Sequence, residues 1–206
     1  DLAPFWRVVD GRAPADLDYI IEQMFAQEGE IRSVDQGRQI LSQELVNYRL
    51  SLAIYASALN DTQRKQIIQS SLDLLSAYED RPALCLELAM TGGKNMTQEQ
   101  LLSAQDLMNQ NLIVMTVNLL DARTAASEGA SFPKPPTEED YGLLVQILID
   151  REMPGDQLQA LFSQDTSHPQ FCQFQIGFLQ AVLDLEGLSG EAVRFEVGQA
   201  MLTAVP

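Results

Sequence analysis

The sequence predicts an all-α protein, a bundle of about eight or nine helices, and three observations carry that expectation. Apolar residues, led by Leu and Ala, recur at intervals of three and four, and the β-branched and aromatic residues fall at the same spacing instead of alternating as a strand requires. Helix start and stop signals punctuate the chain at regular intervals. A short motif that ends in a cysteine occurs twice, which admits a reading as two related four-helix units.

Residues 1–14 read as an irregular arm, with Phe5, Trp6, Val8 and Val9 docking on the body ahead of a Gly11-Arg12-Ala13-Pro14 break. Pro14 suits a first helical turn, and Asp16 and Asp18 suit the positive end of the helix dipole. Leu17, Ile20, Ile21, Met24 and Phe25 then line the inward face of a helix that stops at Gly29. The next helix, about 34–59, carries Leu41, Leu45, Tyr48, Leu52, Tyr55 and Leu59 at spacings of 4, 3, 4, 3 and 4, a heptad seam. Ile40, Val46, Leu50 and Ile54 widen that surface, which predicts contact with more than one neighbour. Asn60-Asp61 interrupts the pattern, and Asp61 or Thr62 is expected to cap a third helix, about 62–78, with Ile67, Ile68, Leu72, Leu75 and Tyr78 inward.

Pro82 opens a short helix with Leu84, Cys85, Leu88 and Ala89 inward, ended by Gly92-Gly93. Thr97 and Gln100 form a capping-box signature for a long helix to about 127, with a seam of Leu101, Met108, Leu112, Met115, Leu119, Ala122 and Ala126 broken only by Gln105. Gly129, Pro133, Pro135 and Pro136 mark a linker, so the chain divides into an arm and first unit over 1–131, a Pro-rich linker at 132–136, and a shorter unit over 137–206 packed on the first as one body. The second unit holds helices opened by Thr137, Pro154, Pro169 and Ser189; Leu144, Leu148, Leu161, Phe171, Phe174, Val182 and Val193 face inward.

Leu74-Leu75-Ser76 and Leu161-Phe162-Ser163 are each followed, after four residues, by Arg81-Pro82-Ala83-Leu84-Cys85 and His168-Pro169-Gln170-Phe171-Cys172, at a constant offset of 87. Only about eight positions match across the copies, so duplication and chance likeness of Leu-rich helices stand on equal terms. If a pseudo-twofold relates the units, Cys85 and Cys172 meet, and a bridge would contribute about 4 kcal/mol through the loop it closes. Otherwise they are small apolar core positions near helix starts, and the balance tips slightly toward two separate thiols.

Net charge is −16, from 29 acids against 13 bases. Such a field repels nucleic acid and anionic lipid headgroups, and no apolar run approaches membrane-spanning length. A basic protein partner is compatible with the charge, although solubility alone accounts for it. The absence of an initiator Met before Asp1 and the two distant cysteines point to an exported protein, periplasmic for example, with the cytoplasm as the alternative.

The chemistry-bearing residues are sparse. His168 is the one histidine, and with two distant cysteines it assembles no zinc site. Gly92-Gly93-Lys94 lacks the spacing of a phosphate loop and follows a helix, not a strand. Acid pairs such as Asp16/Asp18, Glu28/Glu30 and Asp184/Glu186 read as helix-end charges. No catalytic residue, cofactor or metal ligand is expected. The residues thus point to a non-enzymatic interaction or adaptor protein that binds a protein partner through an apolar strip flanked by acids. The alternative is a small-ligand sensing or carrier bundle, with Arg49, Asn111 and Asn118 lining a polar cleft.

Overall fold

Local chemistry sets where the helices begin and end. The computed structural model describes residues 3–27, 29, 31–129, 133–163 and 165–203. Among these it shows ten helices and no strand: α1 (Ala3–Arg12), α2 (Pro14–Ala26), α3 (Val34–Ala53), α4 (Asp61–Ser76), α5 (Pro82–Thr91), α6 (Gln98–Ser127), α7 (Glu138–Asp150), α8 (Gly155–Ser163), α9 (Phe171–Asp184) and α10 (Gly187–Thr203). The Glu28/Glu30 pair, the Val46 side chain and residues 130–132 of the expected linker region lie outside the described residues. Reciprocal capping boxes open α4 (Asn60 with Gln63), α6 (Thr97 with Gln100) and α7 (Thr137 with Asp140), each satisfying two otherwise orphaned N–H groups. Gly92 ends α5 in the left-handed conformation, φ +64°, that a glycine adopts without a Cβ clash.

Five local expectations are corrected. The N-terminal arm is a helix, because Phe5 and Val9 stand one turn apart and both insert fully into the core. Asn60, not Asp61 or Thr62, caps α4, which frees Asp61 to occupy the first helical position. The second predicted helix stops at Ala53; a 3-10 turn at Ala56–Ala58 tightens the chain, burying Leu59 and turning Ile54 out to solvent. α10 starts at Gly187, ahead of the expected Ser189 cap, and α9 starts at Phe171 after a turn containing His168 and Pro169.

Two apolar clusters fill the interior. One surrounds Cys85 and Cys172 with Ile68, Leu75, Leu88, Leu144, Leu148, Phe171, Phe174, Leu179 and Val193. The other gathers Phe5, Val9, Ile20, Tyr48, Leu52, Ile67, Leu119 and Leu202. Three helices feed both. On α4, Ile67 enters one cluster and Ile68 the other; on α10, Val193 and Leu202 divide in the same way; on α6, Ala104 and Leu119 do. Each cluster therefore draws residues from both sides of the Pro133–Pro136 segment. Helices α4 and α6 run antiparallel, since the Tyr78 hydroxyl just beyond α4 donates to the Ser103 carbonyl (2.7 Å) while Asn111 reaches back to Ser70 and Ser71. Each fully buried Leu, Ile or Phe in these clusters contributes about 1.5–3 kcal/mol relative to exposure.

Cys85 and Cys172 are not separate thiols. They form a disulfide between α5 and α9, with Cα atoms 5.9 Å apart, at the equivalent point of the two motif copies. Both residues are fully enclosed in the first cluster.

Candidate functional site

The strongest polar construction in the interior lies where α4, α9 and α10 meet. Arg194 is 1 % exposed and spends all three of its nitrogens. Nε and Nη2 fork onto the two carboxylate oxygens of Asp61 at 2.7 and 3.0 Å, and Nη1 donates to the Val182 and Leu185 carbonyls at 3.1 and 2.6 Å. Asp61 is the first residue of α4 and Leu185 is the C-cap of α9. The carboxylate thus meets the positive end of one helix dipole, and the guanidinium meets the negative end of another. Burial pushes the Asp61 carboxyl up, but hydrogen bonds and charge from Arg194 and Lys65 outweigh it and hold the group below the usual carboxylate range. Gly190 is required beside this joint, because a Cβ there would lie 1.8 Å from the Leu185 carbonyl oxygen and 2.8 Å from Arg194 Nη1.

A second arginine, Arg64, is also 1 % exposed. Its stem packs on Gly198, its guanidinium lies 5.0 Å from the Phe195 ring centroid, and Nη2 donates to the Leu59 carbonyl. Nε and Nη1 make no hydrogen bond. Burial, working against Asp61 and Glu191, lowers its pKa. No spacing pattern marks either arginine in the sequence: Asp61 lies far in sequence from Arg194, Val182 and Leu185 lie well beyond i, i+4 spacing from it, and the Phe195 ring lies far from Arg64.

The three residues expected to line a cleft take different roles. Arg49 is half-buried on α3, where burial lowers its pKa. Asn111 donates to the Ser70 and Ser71 hydroxyls at 2.9 and 3.0 Å and so links α6 to α4. Asn118 is buried and donates to the Val114 carbonyl of its own helix at 2.9 Å. Of the three, Asn118 alone borders a groove of about 760 Å³ between α4 and α6, whose polar wall is Lys65, Gln66 and Gln69 and whose apolar wall is Ile113, Val114 and Val117. A smaller depression of about 470 Å³ lies beside the Arg151–Asp184 ion pair. Both are open to solvent. The turn at Gly92-Gly93-Lys94 is closed on itself: the Lys94 amide donates to Thr91 Oγ1 (3.0 Å) and the Asn95 amide to Glu87 Oε1 (2.8 Å), so those donors are spent within the turn.

Helix α2 presents the third feature. Ile20 is buried and Leu17 and Met24 pack beside it, while Tyr19, Ile21 and Phe25 are 60, 40 and 66 % exposed. Ile21 and Phe25, expected to face inward, therefore point to solvent. The helix is held from beneath by Asp16, which accepts from the Tyr48 hydroxyl (2.9 Å) and Arg123 Nη1 (2.7 Å) and so joins α2 to α3 and α6. Burial and the Asp16 carboxylate both raise the Tyr48 pKa, keeping the phenol a donor. At roughly 100° per residue, Asp18 and Glu22 form a stripe one turn long between Tyr19 on one side and Ile21 and Phe25 on the other. Both acids are exposed. The inward and outward apolar residues of α2 are adjacent in sequence, and only the packing of α1 and α3 against it distinguishes them.

Among the described residues no three His, Cys, Asp or Glu side chains gather as metal ligands would, and no helix is long and apolar enough to cross a membrane. The fold is thus an all-α helical bundle with a buried inter-helix disulfide. Comparison with known protein families, with characterised proteins and with solved structures finds no match to this chain.

Proposed function

We propose that this chain is a non-enzymatic interaction or adaptor protein that works in an exported, oxidising compartment and docks a protein partner through the outer face of α2. The observation that carries the reading is the exposure of Tyr19, Ile21 and Phe25 within two turns of one helix, interleaved with Asp18 and Glu22. Large apolar side chains grouped on a surface cost solubility unless a partner covers them, and aromatics with a polar surround are the usual anchors of interfaces. The buried Cys85–Cys172 bridge supports the oxidising compartment, where such bonds form and persist.

The test is site-specific photo-crosslinking in extract from the native compartment. A photoreactive side chain at position 19 or 25 is expected to give one discrete adduct, and none from exposed Glu79 in the turn that follows α4. Absence of an adduct at 19 and 25, or the same adducts from all three positions, would overturn the reading. The small-ligand alternative keeps one support, the apolar wall of the α4–α6 groove beside Asn118; it predicts a thermal shift with a small apolar amide that Val117→Asp abolishes.

A further inference from the structure

We infer that the partner element is a basic amphipathic helix laid along α2, and not a second copy of this chain; the inference rests on the docking face just proposed. Its geometry is that of one helical contact. Asp18 to Phe25 spans two turns, about 10 Å of helix. The acids are four residues apart, the spacing at which a partner helix sets two Lys or Arg side chains on one face. Apolar side chains flank the acidic stripe on both sides, so a partner whose apolar residues border a basic stripe matches it position for position.

The charges decide between occupants. Among the described residues Arg12 pairs with Asp121 and Arg123 with Asp16, and Arg7 donates to the Ala3 carbonyl of its own helix. Among the described residues neither Asp18 nor Glu22 forms an ion pair or a side-chain hydrogen bond, so two carboxylates sit uncompensated beside exposed aromatics in a chain of net charge −16. A second copy would bring the same acids against these and the same net charge behind them, a repulsive arrangement. A basic helix neutralises them while it covers Tyr19 and Phe25.

The experiment titrates the whole protein with a synthetic two-heptad helical peptide bearing Leu and Phe on one face and Lys beside them at four-residue spacing. The control peptide has the same apolar face with Glu in place of Lys. The Lys peptide is expected to bind at least tenfold more tightly than the Glu peptide. Phe25→Ser is expected to weaken it by tenfold or more. Asp18→Asn with Glu22→Gln is expected to weaken it about three- to tenfold, in a salt-dependent manner, while the same charge change at Glu79 and Asp80 leaves it unchanged. Equal binding of the two peptides overturns the basic-partner inference and leaves α2 as a docking face. Binding that survives Phe25→Ser means the peptide is held elsewhere by general charge, and this inference falls. Binding of neither peptide overturns it as well, and the crosslinks from positions 19 and 25 then show whether the docking face itself stands. Sedimentation that finds a dimer of the wild type abolished by Phe25→Ser would assign the face to a second copy instead.

Discussion

The junction of α4, α9 and α10 and the outer face of α2 use their side chains in opposite ways. At the junction Arg194 is buried, and every nitrogen it has is bonded to Asp61 or to the end of α9; at the start of α9 the disulfide ties it to α5. On α2, large apolar side chains and two unpaired acids point outward, and only the inner side of the helix, through Ile20 and Asp16, is joined to the body. The difference separates residues that hold the fold from residues the fold holds in place. Substitutions at the junction should change stability, and substitutions on the outer face of α2 should change binding alone.

The comparison breaks most severely at the disulfide. Cys85→Ala with Cys172→Ala frees a loop of nearly ninety residues and should cost about 4–5 kcal/mol in denaturant unfolding, with reduction of the unfolded wild type giving a matching loss on refolding. Asp61→Asn leaves the Arg194 guanidinium buried without its carboxylate and should cost about 2–4 kcal/mol, toward the low end because Asp61 keeps 28 % side-chain exposure. This contribution has a pH signature. The folded pKa of Asp61 lies below its unfolded value near 4, so the stabilisation is complete above about pH 4 and is lost as pH falls through the folded value. The gap between wild type and Asp61→Asn, measured by urea unfolding, should therefore narrow as the medium is acidified below pH 4. Gly190→Ala drives a Cβ into the Leu185 carbonyl and should cost about 1–3 kcal/mol by thermal unfolding. Tyr48→Phe removes one bond to the Asp16 carboxylate and should cost about 1 kcal/mol.

Much of this architecture was legible because it rests on local signals. Thr97 with Gln100, Gly92, and the Leu45-Tyr48-Leu52 seam each announce a cap, a stop or a buried face within one or two turns. The 87-residue offset raised the meeting of Cys85 and Cys172, but deciding between bridge and separate thiols needed their positions in space. Contacts made across the chain left no trace in it. Arg194 and Asp61 are 133 residues apart, and neither spacing nor composition pairs them. The Gly11-Arg12-Ala13-Pro14 break suggests an irregular arm, but Gly11 falls inside the last turn of α1 and Pro4 in its first turn, where a missing N–H is harmless. On α2, Ile20 and Ile21 are indistinguishable by composition, and their 100° separation on the helix decides which one is buried.

The most direct test of the separation is the smallest effect it predicts. Tyr19→Ser with Phe25→Ser, unfolded by urea beside the wild type, should leave stability within about 0.5 kcal/mol, as for surface positions with no packing role. A loss of about 2 kcal/mol or more would show that these side chains belong to the core, and the α2 face could then no longer be read as a docking surface.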